Sequence, residues 1–326
     1  MRFLPDTEQR AFAASLDAML SAADTPSAVR DWSRGDHAAG RALWSRIAEA
    51  GVFALAVPEE YGGMGTRPVE LALAFVELGR HAVPGPLVET VTAAALLTDA
   101  ADLGTEGAQA KRLLPALASG QTMATVAHGS RYALDGDAAT LPLALTRHGL
   151  RLAPGHGPPR PSLDPARRLI PLAPGGELLT ATPSVAHALV LARLTTAAQA
   201  LGVGLTLLEK TVAHVKRRTQ FGVPIGSFQA VRHRLADVLI TLEFARPLVL
   251  GAALTLRPAD AAAAKASACE AAYGAARAAL QLHGAIGYTA EYDLSLWLAK
   301  ARALRSAWGD PDTCRTVVLD GGDHTQ

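Results

Sequence analysis

Two kinds of side chain in this sequence could handle protons or phosphate: acids near a turn and arginines at a helix end. Asp310 and Asp312 lie in a Gly-Asp-Pro-Asp run. Either carboxylate could take a proton as a general base, although such a run more often makes a turn, because an Asp side chain bonds its own backbone there. Arg217 and Arg218 close a long helical pattern, where cations complement the helix dipole, and the turn FGVPIGS follows them. A second turn, GAIG at 284–287, ends another helical pattern. Other chemistries are poorly served. The ten histidines have no ligand-like spacing: His37, His81, His128, His148 and His156 are scattered, and His233 stands between Arg232 and Arg234 on a basic helix surface. Two cysteines, Cys269 and Cys314, are too few for a disulfide framework or a multi-cysteine metal site. No metal is expected.

The elements that must position these residues are mostly helices. Hydrophobic content is 49% while aromatics are 5%, with alanine, the strongest helix former, filling the difference. Residues 1–120 read as one helical domain: Phe12, Leu16 and Leu20 share a face, and Leu43, Ile47 and Ala50 repeat the spacing. Residues 121–183 read as a reduced middle β domain, with strand-like runs at 122–127, 141–146, 150–153 and 168–172. Eight of the 20 prolines fall between Pro154 and Pro183, so part of this region must be irregular. Residues 184–326 read as a bundle of four helices: a long one with a stripe through Val185, Leu189, Ala192, Leu201, Leu205, Leu208, Val212 and Val215, one that Pro247 should kink or end irregularly, one from about Ala259 to His283, and one from about Tyr292 to Ala307. The fold class is thus mainly α with a small β module.

The formal charge of +1 gives no reason to expect nucleic acid or an anionic membrane as partner. The most apolar segment, 235–256, carries Asp237, Glu243 and Arg246, charges that are costly in hydrocarbon, so it reads as a buried helix and not a membrane span. A cytoplasmic location is expected, because MRFLPDTEQR lacks the apolar core of a signal peptide.

At RRTQFGVPIGSFQAV (217–231) and QLHGAIGYTAEY (281–292), and less closely at VPEEYGG (57–63), the chain resembles the flavin-dependent acyl-CoA dehydrogenases. The resemblance implies an N-terminal helical domain, a central β-barrel and a C-terminal four-helix bundle, with each flavin adenine dinucleotide (FAD) bound across a subunit interface. It implies that Arg218 reaches the FAD pyrophosphate, where a planar guanidinium suits phosphate oxygens. Gln220 and Phe221 match the adjoining contacts, and Gln229 the glutamine that opens the next helix. Gln281, Leu282, His283, Gly284 and Ala285 match the turn whose backbone N–H groups approach the ADP moiety. The implied reaction is α,β-dehydrogenation of an acyl-CoA thioester: a carboxylate removes the α-proton, the β-hydrogen leaves as hydride, and an electron-transfer acceptor reoxidises the cofactor.

The two positions that hold the family's glutamate are here Trp308 and Ala192. Of the family's ring-holding strands only Gly129 and Ser130 remain, and the tryptophans, at 32, 44, 297 and 308, all lie outside the middle domain. The resemblance therefore extends to the heteromeric actinobacterial members, in which a short subunit pairs with a full-length acyl-CoA dehydrogenase in an α2β2 assembly and several act on steroid-derived CoA thioesters. The expectation is a subunit that gives the ADP side of the flavin site to a partner carrying the base. Two alternatives stand beside it: a self-sufficient homo-oligomer using Asp310, and a flavin-free, non-enzymatic scaffold.

Overall fold

The computed structural model describes residues 4–101 and 108–321. The N-terminal helices are α1 (Thr7–Ser21), α2 (Thr25–Ser33), α3 (Ala38–Glu49), α4 (Pro68–Arg80), α5 (Leu87–Ala101) and α6 (Ala108–Ala118). Asp6 opens α1 through a reciprocal capping box with Gln9, and Asp24 caps α2 by accepting from the Ser27 N–H. The strands follow: β1 (Ala124–His128), β2 (Tyr132–Leu134), β3 (Leu141–Thr146), β4 (Gly149–Leu152), β5 (Leu169–Pro171) and β6 (Glu177–Thr180). The chain then returns to helix with α7 (Ala186–Arg217), a two-residue hairpin of β7 (Thr219–Gln220) and β8 (Val223–Pro224), α8 (Gln229–Thr255), α9 (Pro258–His283), α10 (Leu294–Ser306) and α11 (Pro311–Leu319).

One sheet runs β1-β3-β4-β6, with β1 parallel to β3 and the remaining pairs antiparallel, and β2 pairs antiparallel with β5 in a second, two-stranded sheet. The chain crosses between the sheets at the corner His128–Gly129–Ser130–Arg131, where Gly129 takes a positive φ of 68°. Four strand-like runs were legible in the sequence, at β1, β3, β4 and β5; β2 and β6 were not.

α7 is the axis of the fold. It packs on α4, α5, α8, α9 and α10, and from Ala188 to Leu207 it is buried on every side rather than along one stripe. Two glycines allow its close crossing with α4: a Cβ on Gly202 would lie 1.9 Å from the Val76 carbonyl oxygen, and one on Gly79 would lie 2.0 Å from that of Gln199. Opposite, α9 buries alanines from Ala261 to Ala279, so backbones approach closely without large side chains. The main core is continuous from α1 through β1 and β3 to α10.

Two features of the C-terminal region differ from expectation: the exposure of α8, read from the sequence as a buried helix, and a further helix after α10. α8 runs through Pro247 to Thr255. The proline withholds one N–H from the Glu243 carbonyl, and both residues are exposed. The region also holds α11, whose start is the Gly-Asp-Pro-Asp run read from the sequence as a turn or a base: Asp310 caps it and Pro311 occupies its first position. α7 and α8 are long and apolar enough to cross a membrane, yet 94% of the α7 window is buried in the fold, against 39% for α8. The exposed face of α8 carries Leu239, Ile240, Phe244 and Leu248.

Candidate functional site

Two regions gather the residues that matter. The first is the end of the bundle where α7 and α9 finish. Arg218 is the C-cap of α7: its N–H donates to the His214 carbonyl and its own carbonyl accepts from Ile225 at 2.8 Å. Its guanidinium is exposed and has no ion-pair partner among the described residues. The hairpin turns on Phe221 and Gly222, both at positive φ (53° and 79°), as a two-residue β-hairpin requires. This leaves Phe221 93% exposed, its ring edge-on to Phe228 at 6.2 Å.

The turn after α9 is brought to the same end by a pair of imidazoles. His214 in the last turn of α7 stacks on His283, the last residue of α9, with centroids 4.1 Å apart. His283 Nδ1 is 2.8 Å from the Ala279 carbonyl, so Nδ1 carries the proton of a neutral ring. Burial pushes the pKa of both rings down, which suits two imidazoles face to face. The His283 side chain is therefore committed to packing, and a ligand at this turn would meet its main chain. Gln281, Gly284 and Ala285 are exposed, Leu282 is half-buried, and Gly284 stands at φ 61° with open space where a Cβ would project. Gln229, exposed, is the first residue of α8.

Charge at this end is one-sided. From Lys210 to Arg234 the chain has no Asp or Glu but includes Lys216, Arg217, Arg218 and Arg232. Lys216, Ser227 and Arg232 line a recess of about 540 Å³ between α7, the hairpin and α8. Such a set of donors fits a phosphate-bearing tail.

The second region is a cavity of about 500 Å³ between the β1–β2 corner, α7 and the turn joining α10 to α11. Trp308 stands in that turn at φ 57°, and its Nε1 donates to Glu89 Oε1 at 3.2 Å. Its indole lies parallel to His128, with centroids 6.2 Å apart. Lys265 on α9 holds the turn in place, its Nζ donating to the carbonyls of Arg305, at 2.8 Å, and Gly309. These carbonyls follow the end of α10, so the buried ammonium satisfies acceptors a helix end leaves over.

Glu89 comes from α5. It is 4% exposed, receives the indole N–H, and lies 4.0 Å from Arg167. Burial pushes its pKa up. Asp310 does not enter the cavity as a base: its carboxylate accepts from the Thr313 N–H at 2.8 Å, and that bond holds its pKa below the usual range. Ala192 is fully buried in α7. Asp312 is exposed and paired with Arg315. Glu89 and Arg193 are the cavity residues that motif reading misses. Each had a signal, being the lone charge in a long apolar stretch (87–97 and 188–208). Elsewhere, Asp17, Glu77 and His81 bring ligand-type atoms within 4.8 Å of one another, a cluster absent from the sequence reading; His81 Nε2 and Asp17 already pair there at 2.8 Å.

Residues 6–121 match the family model described as acyl-CoA dehydrogenase, N-terminal domain, and residues 182–321 match that of the acyl-CoA dehydrogenase C-terminal domain. The chain belongs to the acyl-CoA dehydrogenase family. Acyl-CoA dehydrogenase IpdE2 of Mycobacterium tuberculosis is 35% identical over 91% of this chain and 92% of its own length. Among solved structures, butyryl-CoA dehydrogenase from Megasphaera elsdenii superposes with a TM-score of 0.80 at 22% identity, covering 98% of this chain and 99% of that one. A chain of the ChsE4-ChsE5 complex from Mycobacterium tuberculosis superposes with a TM-score of 0.79 at 22% identity and full coverage of both. Like its family, this acyl-CoA dehydrogenase is an oxidoreductase with a mainly helical fold and a small β region.

Membership implies FAD. The acid-free cationic end, with its open glycine turn, fits the tail of that cofactor. Residues 121–183 contain no tryptophan, and the side chain that lines the cavity at 308 is an indole.

Proposed function

We propose that this chain is one subunit of a heteromeric, FAD-dependent acyl-CoA dehydrogenase, giving the pyrophosphate-binding end of a shared flavin site to a full-length partner that carries the base. When bound, FAD accepts the β-hydrogen as hydride. The residues here that would serve it are Arg218, Gln220, Phe221 and Gln229 with the main chain of 281–285; they bind and orient the tail. The observation that carries the reading is Trp308: an indole has no basic site for an α-proton, and here its N–H is spent on Glu89. Support from relatives is consistent, since a complex of two named chains is among the proteins of this shape. An α2β2 assembly and a steroid-derived acyl-CoA belong to the same proposal.

A second reading has one observation in its favour. Glu89 is a carboxylate lining the cavity at 308, so a self-sufficient enzyme would use Glu89 rather than Asp310. Purifying the chain alone and with its co-expressed partner separates the two readings. The proposal expects a nearly colourless, inactive chain alone and a yellow, active complex whose turnover survives Glu89→Gln. Turnover by the isolated chain, lost in Glu89→Gln, establishes the second reading, and a colourless, inactive complex leaves only a scaffold.

A further inference from the structure

Whoever supplies the base, the cavity of this chain has a charge imbalance that calls for a ligand. Among the described residues, one buried cation of this cavity stands without a partner. Arg167 lies 4.0 Å from Glu89, and beside them Lys300 lies 3.7 Å from Asp164. Arg193, on α7 and 8% exposed, lines the cavity with no hydrogen bond or ion pair among the described residues, and its buried Nε is without a partner. An unpaired guanidinium at such depth costs several kcal/mol of lost hydration by order of magnitude unless an anion joins it. Glu89 does not neutralise it, being held by Arg167 and the Trp308 N–H.

A second chamber, of about 750 Å³, adjoins the first and shares His128, Ser130 and Leu189 with it. Its inner wall is apolar: Ala127, Ala144, Leu145, Leu172 and Val185. Arg131 and Arg147, both exposed, stand at its rim, where they would draw an anion inward. The combined space has an oily compartment beside one unpaired cation, the complement of an amphiphilic acid. We infer that the two chambers bind a hydrophobic carboxylate, with its apolar body between β1, β3 and the start of α7 and its carboxylate on Arg193. The site is separate from the cationic end that serves the flavin tail.

Calorimetric titration of the full chain, alone and in complex with its partner, tests this with octanoate and its neutral isostere octanamide. Octanoate should bind at least tenfold tighter; Arg193→Met should erase that preference, and Arg193→Lys should keep most of it. Arg193→Met removes an unpaired buried cation, so its Tm should rise, and the comparison of the two probes on the unaltered protein needs no variant. Octanedioyl-CoA against octanoyl-CoA identifies the source: a preference for the former that depends on Arg193 assigns the carboxyl to an acyl-CoA, and a preference confined to octanoate assigns it to a free acid. Equal binding of octanoate and octanamide, no binding of either, or an undiminished preference in Arg193→Met overturns the inference. So does release of flavin from the complex by octanoate, which would give the cavity to the cofactor ring.

Discussion

Trp308 donates its indole N–H to Glu89, joining the turn after α10 to the first turn of α5 at 3.2 Å. Both side chains line the cavity between the β1–β2 corner, α7 and the turn joining α10 to α11. Trp308→Phe keeps the ring but leaves a buried carboxylate oxygen without this donor, a loss typically worth about 1–3 kcal/mol. Urea unfolding of Trp308→Phe, Glu89→Gln and the double variant should give a coupling energy of that sign, whereas additive effects would show the contact contributes nothing.

Asp310 is a helix cap, and its replacement should behave as one. Asp310→Ala removes the acceptor for the Thr313 N–H, with an expected cost of roughly 0.5–2 kcal/mol in stability, and Asp310→Asn should restore most of it. Turnover of the assembled enzyme should follow the folded fraction in both variants. A collapse of turnover in Asp310→Asn with unchanged Tm would return a catalytic role to this residue.

Stability should also report the buried acid Asp135. Burial pushes its pKa up to about 7 from an ordinary value of 3.8, although its Oδ1 accepts from the Arg168 N–H at 3.0 Å. The folded state then holds a proton that the unfolded state releases between pH 4 and 7, so this group's contribution to stability is full at the acid end and is lost as pH rises through that window. Asp135→Asn keeps an acceptor and cannot ionise. Thermal melts from pH 5 to 8 should show a Tm that declines less in Asp135→Asn than in the unaltered protein; parallel curves would mean Asp135 ionises normally in the fold.

Much of the fold could be read in advance, for physical reasons visible in particular residues. The step of three and four from Val185 to Val215 marks α7 before any coordinate is known, and Ala-rich 259–283 does the same for α9. What pattern could not show is that α7 is buried on all sides, since that follows from Gly79, Gly202 and the alanines of α9 admitting neighbours at close range. α11 was hidden because Asp310 and Pro311 open a helix with the same residue types that make a turn.

The candidate site divides along the same line. Arg218 and the 281–287 turn were legible as motifs, and the structure gathers them at one end through the His214–His283 stack. Glu89 and Arg193 signalled only as lone charges in apolar stretches, since neither has a partner within its own segment. Only the packing of α5 and α7 against the β1–β2 corner brings them to one cavity.

The most direct measurement is flavin content per assembly, by native mass spectrometry and visible absorbance, for the chain co-expressed with its partner and for Arg218→Ala in the same assembly. One flavin per pair of unlike subunits is expected, with most of it lost in Arg218→Ala while the subunits stay associated and the isolated chain stays colourless. A homomer of this chain that carries one flavin per subunit and dehydrogenates an acyl-CoA thioester without any partner would contradict it.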